Sequence, residues 1–186
     1  MDEGAGDIKS EQYQERMEDI AMRMSYDDSK DSLYGSFETL TANRDKAVGL
    51  LKLSVQKPRF DTDAVERIRQ QLLANLIYAD KDPEKVAMRE WYAQAFPGHP
   101  YGRSANGTMD SVAKITRDDL VDFHKRTFAR DDVKIVAVGD ITAAELGKMI
   151  DDVFGGLPAK ADLLPVSQTA PVKGGSQKIV EMGVPQ

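Results

Sequence analysis

His99 and His124 are the only imidazoles in this chain, and it has no cysteine. A catalytic zinc usually takes three protein ligands and keeps a fourth position open for water. Neither HExxH nor its inverse HxxEH occurs, and no two histidines stand at helical spacing. His99 lies in a Pro/Gly turn (FPGHPYG), and His124 lies on a helix beginning near Asp118. They are therefore read as a turn residue and a helix-surface residue, which leaves no metal site. The lack of cysteine excludes disulfides, thiolate metal sites and a cysteine nucleophile. There is no G-x-S-x-G elbow to expose a serine. Gly4-Ala5-Gly6 lacks the third glycine and the preceding strand of a dinucleotide loop. Paired carboxylates are frequent (Asp27-Asp28, Asp118-Asp119, Asp131-Asp132, Asp151-Asp152). Neighbouring side chains point in different directions in a helix or strand, so caps and solvated turns explain these pairs better than an acid/base dyad. No catalytic residue is assigned.

The composition fits one globular domain with room for a linker: 186 residues, 41% hydrophobic and 30% charged. The apolar runs are short, Ile135–Val138 being typical, so no membrane span is expected. The first residues are polar and acidic, the reverse of a signal peptide. A net charge of −6 disfavours nucleic acid or an anionic membrane as partner. The first 45 residues carry twelve Asp/Glu against five Lys/Arg. This reads as a solvated acidic face, with attraction of a basic peptide as the sharper alternative.

The elements that must position these groups follow from periodicity and breakers. Gly4 and Gly6 read as the C-cap region of a helix lying upstream. Ser10 is expected to cap a helix with Tyr13, Met17, Ile20, Ala21 and Met24 on one face. Two strands joined by the acidic turn Asp27–Asp31 come next, the second being Ser32–Thr41. Helices are predicted over Asn43–Gln56, stopped by Lys57-Pro58, over Thr62–Ala79 with the stripe Val65, Ile68, Leu72, Leu73, Leu76 and Ile77, and over Pro83–Ala95. Thr116 with Asp119 and Thr142 with Glu145 have capping-box spacing. Val133–Val138 between them reads as a buried strand. The predicted class is α+β, a mainly antiparallel sheet with helices packed on it. The expected organisation is a domain over 1–156, a Pro/Gly-rich linker over 157–176, and a further strand starting at 177–186 that leads into a second half.

Phe96–Gly102 (FPGHPYG), Ser111–Phe123 (SVAKITRDDLVDF), Val133–Asp140 (VKIVAVGD) and Val153–Pro158 (VFGGLP) occur in that order, with Pro58-Arg59-Phe60 and the Val65–Ile77 helix upstream. Their order and spacing resemble the pitrilysin/insulinase family of zinc peptidases, which includes the mitochondrial processing peptidases. The resemblance covers essentially the whole chain. It implies homologous α/β halves closing around an unfolded peptide. In active halves an HxxEH helix and a later glutamate hold zinc, and the motif's glutamate activates the bound water. By this register HxxEH would lie just before Met1, and Asn75 takes the third-ligand position, nine residues after Glu66. A neutral amide replaces a carboxylate poorly there. Asp2, Glu3 and Ala5 also depart from the active pattern.

The resemblance therefore implies a non-catalytic half, inactive alone, with no cofactor of its own although catalytic relatives carry zinc. It would enclose an extended peptide and pair with a catalytic half or subunit. The strand carrying Ser32, Tyr34, Ser36 and Phe37 is the candidate for facing that peptide. The alternative is a piece of an active zinc metalloendopeptidase whose HxxEH helix lies upstream. Surface left bare by a missing early strand and helix would favour a homo-oligomer. Export to the periplasm fits bacterial relatives, although the chain shows no signal peptide.

Overall fold

A computed structural model describes residues 1–183, and they form two units. The first contains residues 1–65 and 116–163, the second 66–115 with 164 onward.

The first unit opens with a small antiparallel pair, β1 (Gly4–Ala5) and β2 (Ile8–Lys9). Gly4 and Gly6 do have positive φ, +100° and +57°. They use it to turn this hairpin, and no helix ends there. A methyl group on Gly4 would lie 2.9 Å from the amide nitrogen of Ser10, so only glycine fits. Helix α1 (Ser10–Asp19) buries Tyr13 and Met17, and Ile20 just beyond it is buried too. Its cap position is Lys9, and the Ser10 hydroxyl donates to Glu3. The expected stripe stops at Ile20, because Ala21 turns the chain at φ +51° and Met24 belongs to the next strand.

Strands β3 (Arg23–Asp28) and β4 (Leu33–Glu38) form the second antiparallel pair, with Met24 opposite Phe37 and Ser25 opposite Ser36. Helix α2 (Arg44–Gln56) follows and ends where Pro58 forbids another helical residue. Ala5, Ile8, Tyr13, Met17, Ile20, Met22, Ala47 and Leu50 make one apolar cluster. Val55 of α2 makes a second with Val153 and Leu157. Helix α6 (Arg117–Thr127) and helix α7 (Ala143–Phe154) each begin with the expected capping box. In α6 the Asp119 carboxylate accepts the Thr116 N–H at 2.7 Å; in α7 Glu145 accepts the Thr142 N–H at 2.9 Å.

The second unit contains most of α3 (Thr62–Ala79), then α4 (Pro83–Ala95) and α5 (Met109–Lys114). Asp82 caps α4 through the amides of Glu84 and Lys85, with Pro83 pre-set for the first turn. Thr108 and Ser111 form a third capping box that the sequence reading missed. The α3 stripe is only partly covered, since Leu72 and Ile77 remain 42% and 48% exposed. The Arg69 guanidinium holds α5 by donating to the carbonyls of Val112 and Ile115.

Antiparallel strands and packed helices give the α+β class, but two expected strands are absent. Residues 133–138 are not a strand and are not buried: Val136 is 90% and Val138 98% exposed. Residues 177–183 also lack strand pairing, and residues 184–186 of that expectation lie outside the described ones. Both runs have strand-like composition, but a strand exists only where a neighbour supplies the other half of the ladder. Among the described residues, 164–183 contain no helix or strand. They are nevertheless held: the Val172 N–H donates to the Ala95 carbonyl at 2.9 Å, and Lys178 pairs with Glu90. Among the described residues, no helix is long and apolar enough to cross a membrane.

Candidate functional site

A concavity lies within the first unit. It is a cleft of about 720 Å³ between the β3–β4 hairpin and the run 133–141, floored by α2 and α7. Local chemistry shapes each wall. Met24 and Tyr26 alternate with exposed neighbours along β3, so the hairpin packs one face inward and leaves the other to solvent. Tyr26 Oη lies 2.8 Å from Ser54 Oγ on α2, which pins the hairpin to the floor. Burial pushes the Tyr26 phenol above its usual range, so it stays protonated and able to donate. At the far end, Arg44 donates to the Asp140 carbonyl at 3.2 Å and pairs with Glu145 at 3.5 Å. The floor is apolar, formed by Leu51, Val55, Met149 and Val153.

The structure places all four sequence-selected residues, Ser32, Tyr34, Ser36 and Phe37, on the lining of this cleft. Tyr34 is 59% exposed and available to a ligand. Ser36 is engaged with Ser25 across the strands at 2.9 Å, and Phe37 packs on the first apolar cluster. The opposite wall, 133–138, was missed as part of a site because its composition read as a buried strand. Its backbone makes no hydrogen bond among the described residues. The signal that could have found it is the shortage of strands in the sequence to pair with it.

Neither the residue at the third-ligand position of the family register nor either histidine is placed to hold a metal. Asn75 is an exposed amide on α3. His99 accepts the Tyr101 N–H on Nδ1 at 3.1 Å, and its Nε2 meets the Ser167 carbonyl at 2.9 Å. His124 spends Nε2 on the Val55 carbonyl at 2.8 Å and stacks on Phe128. No three His, Cys, Asp or Glu side chains gather as a metal would require among the described residues.

Instead, His124 ties α6 to the end of α2. Burial is the main cause holding its pKa below the usual imidazole value, so the folded state favours the neutral ring. The resulting stability is complete above the ordinary histidine pKa and is lost as pH falls below it. Urea titrations should therefore show a lower midpoint at pH 5.5 than at pH 7.5, about 6.5 being the ordinary pKa. Most of that drop should be absent in His124→Gln. An equal drop in the variant would refute the assignment.

A family model described as "Peptidase M16 inactive domain" matches residues 114–186. The chain is 26% identical over 181 residues to the non-peptidase homolog YmxG of Helicobacter pylori, covering 97% of this chain and 41% of that protein. It is 32% identical over 118 residues to a probable mitochondrial-processing peptidase subunit beta of Schizosaccharomyces pombe, covering 63% of this chain and 26% of that one. Among solved structures, the peptidase M16 inactive domain from Pseudomonas fluorescens superposes with a TM-score of 0.84 at 28% identity, over 91% of this chain and 42% of that chain. Pitrilysin superposes at 0.74 with 20% identity, over 91% of this chain and 19% of that chain, a likeness of fold. The chain thus spans less than half the length of each of these relatives.

Proposed function

We propose that this chain, which resembles the pitrilysin/insulinase-type (M16) peptidases and matches their inactive-domain model over residues 114–186, is a non-catalytic half that holds extended peptide without cutting it and pairs with a zinc-bearing half. The observation carrying the proposal is the contrast between its two candidate places. The zinc-ligand position holds an exposed amide, Asn75, whereas the cleft is open, apolar at its floor and walled on one side by backbone with no hydrogen bond among the described residues.

An extended peptide entering the cleft would meet the 133–138 backbone and could extend it as a strand. The floor would take every second side chain and the solvent the others. Tyr34 adds an exposed ring on the opposite wall, large enough to contribute to affinity. No water-activating group is required of this chain, because the partner half supplies it. Acidic groups on the rim (Asp31, Glu38, Asp131, Asp132) outnumber the bases Arg44 and Lys134, which favours peptides that are not acidic.

The test uses the purified chain alone and mixed with a zinc-bearing family member. The chain alone should show no hydrolysis of a fluorogenic peptide. The mixture should give a complex by sedimentation and a higher rate than the active partner alone. Tyr34→Ala should weaken capture of labelled peptide by roughly five- to thirty-fold, as for an aromatic contact of 1–2 kcal/mol. No complex and no rate gain would sink the pairing. Peptide capture indifferent to Tyr34→Ala would remove the cleft from the proposal.

A further inference from the structure

We propose that Asn106 is a self-modification site, where the Gly107 nitrogen closes on the Asn106 side chain and water then leaves aspartate or isoaspartate in its place. The chemistry is local to one turn and does not depend on peptide binding.

Asparagine loses its amide through the backbone nitrogen that follows it, so the next residue governs the rate. Of the three asparagines, Asn43 precedes Arg44, Asn75 precedes Leu76 and Asn106 precedes Gly107. Only glycine leaves the approach to that nitrogen clear of a side chain and lets the backbone turn freely into the ring geometry. Their surroundings separate the three again. Asn75 lies inside α3, where helical dihedrals fix the nitrogen of Leu76. Asn43 is held by its own side chain, which donates to the Ile20 carbonyl at 2.9 Å, and Arg44 begins α2. Asn106 is exposed and outside any helix or strand. It sits in a turn closed by the Gly107 N–H donating to the Ser104 carbonyl at 3.2 Å, the long end of the normal range.

The atoms balance with water alone. Once the bond to Ser104 opens, the Gly107 nitrogen gives its proton to water or hydroxide and attacks Asn106 Cγ. The N–Cγ bond forms, the Cγ–Nδ2 bond breaks and ammonia leaves, so a succinimide ring remains. Water then opens the ring at one of its two carbonyls. Breaking the new N–Cγ bond gives aspartate. Breaking the original peptide bond gives isoaspartate, whose backbone runs through Cβ and Cγ.

The two products act differently on α5. Aspartate keeps the backbone length. Isoaspartate adds one carbon to the chain just before the α5 cap, where there is no slack. A methyl group on Gly107 would already lie 2.8 Å from Ser111 Oγ and 3.2 Å from a Val112 methyl. Thr108 and Ser111 are the two members of the capping box, and the Val112 N–H donates to the Thr108 carbonyl at 2.9 Å. The isoaspartyl form therefore loosens the start of α5 and the seat of the buried Val112.

Peptide mapping by mass spectrometry on the full chain, held in warm and mildly alkaline buffer, reads the conversion. Methyl transfer from S-adenosylmethionine by an isoaspartyl methyltransferase counts the isoaspartate. Asn106 should convert first, and faster as pH rises, with Asn43 and Asn75 intact when most of it has reacted. Asn106→Gln should abolish methyl acceptance, because the longer side chain would have to close a larger ring. Gly107→Ala should slow conversion at least about tenfold, since a side chain crowds the nitrogen and φ +72° suits glycine alone. Hydrogen exchange at Val112 should rise at least about tenfold in the isoaspartyl fraction and stay near wild type in Asn106→Asp. Asn43 or Asn75 reacting as fast as Asn106 overturns the proposal. So does an Asn106 that stays intact in the folded chain after a peptide of residues 103–110 has converted. Unchanged exchange at Val112 in the isoaspartyl fraction overturns the effect on α5.

Discussion

Tyr13→Ala should lower the stability of the chain by about 3–5 kcal/mol, the range for emptying a buried aromatic site. Tyr13 is fully buried in the first apolar cluster, and its hydroxyl donates to the Leu50 carbonyl at 2.8 Å. The ring lies where α1 meets α2, so its removal would loosen both helices at once. Tyr13→Phe separates ring from hydroxyl. The Leu50 carbonyl keeps its helical bond from four residues on, so losing the phenol should cost only about 1 kcal/mol. Small domains have roughly 5–15 kcal/mol in all, so the alanine variant should lose a large share of its stability while the phenylalanine variant keeps nearly all of it. Urea denaturation followed by circular dichroism checks the pair, and equal losses would show that the ring is not what matters. Burial, then the neighbouring Tyr26, push this phenol well above its usual range. The folded state thus disfavours the tyrosinate, and stability should decline as pH rises beyond the ordinary tyrosine value of about 10.

Val153→Asp is expected to cost at least as much, about 3–5 kcal/mol, by placing an uncompensated carboxylate in the second cluster. Val153 is 1% exposed and packs with Val55 and Leu157. The nearby cation, Lys52, already pairs with Asp152 at 2.5 Å, and Asp151 is adjacent in sequence. Val153→Ala removes volume without adding charge and should cost about 2 kcal/mol. Acid separates the mechanisms. Burial raises the pKa of the new carboxyl group, so Val153→Asp should lose less relative to wild type as pH falls and the group is neutralised. Val153 also forms part of the cleft floor, so peptide capture should fall with stability. A variant as stable as wild type at neutral pH would mean that α7 is not held through this residue.

The helices were legible because their signals are local. Pro58 ended α2, and the Thr116 and Thr142 boxes placed α6 and α7. The hairpin was legible from the acidic turn between two β-rich runs, and it placed Tyr34 and Phe37 on the cleft. Pairing was not legible. Val133–Val138 has a strand's residues, but whether it forms one depends on a partner elsewhere, and no local pattern reports that. The glycines at 4 and 6 show the same limit: positive φ was foreseeable, but a helix end and a tight hairpin demand it alike. Asn75 was legible as a poor metal ligand from its chemistry alone. What commits His99 and His124, the carbonyls of Ser167 and Val55, comes from distant parts of the chain.

The stretch from Leu164 to Lys178 has the composition of a flexible spacer, yet it is fastened to α4 by Val172 on Ala95 and Lys178 on Glu90. A free spacer lets whatever it carries wander over a distance that grows with the square root of its length. Here the chain is fastened as far as Lys178, so a module joined beyond that point would be kept on a short leash. Shortening a flexible tether that still spans the gap raises local concentration steeply, as roughly the three-halves power of length. Cutting the Lys178–Glu90 tie would lengthen the leash and dilute the attached module without altering any surface it binds.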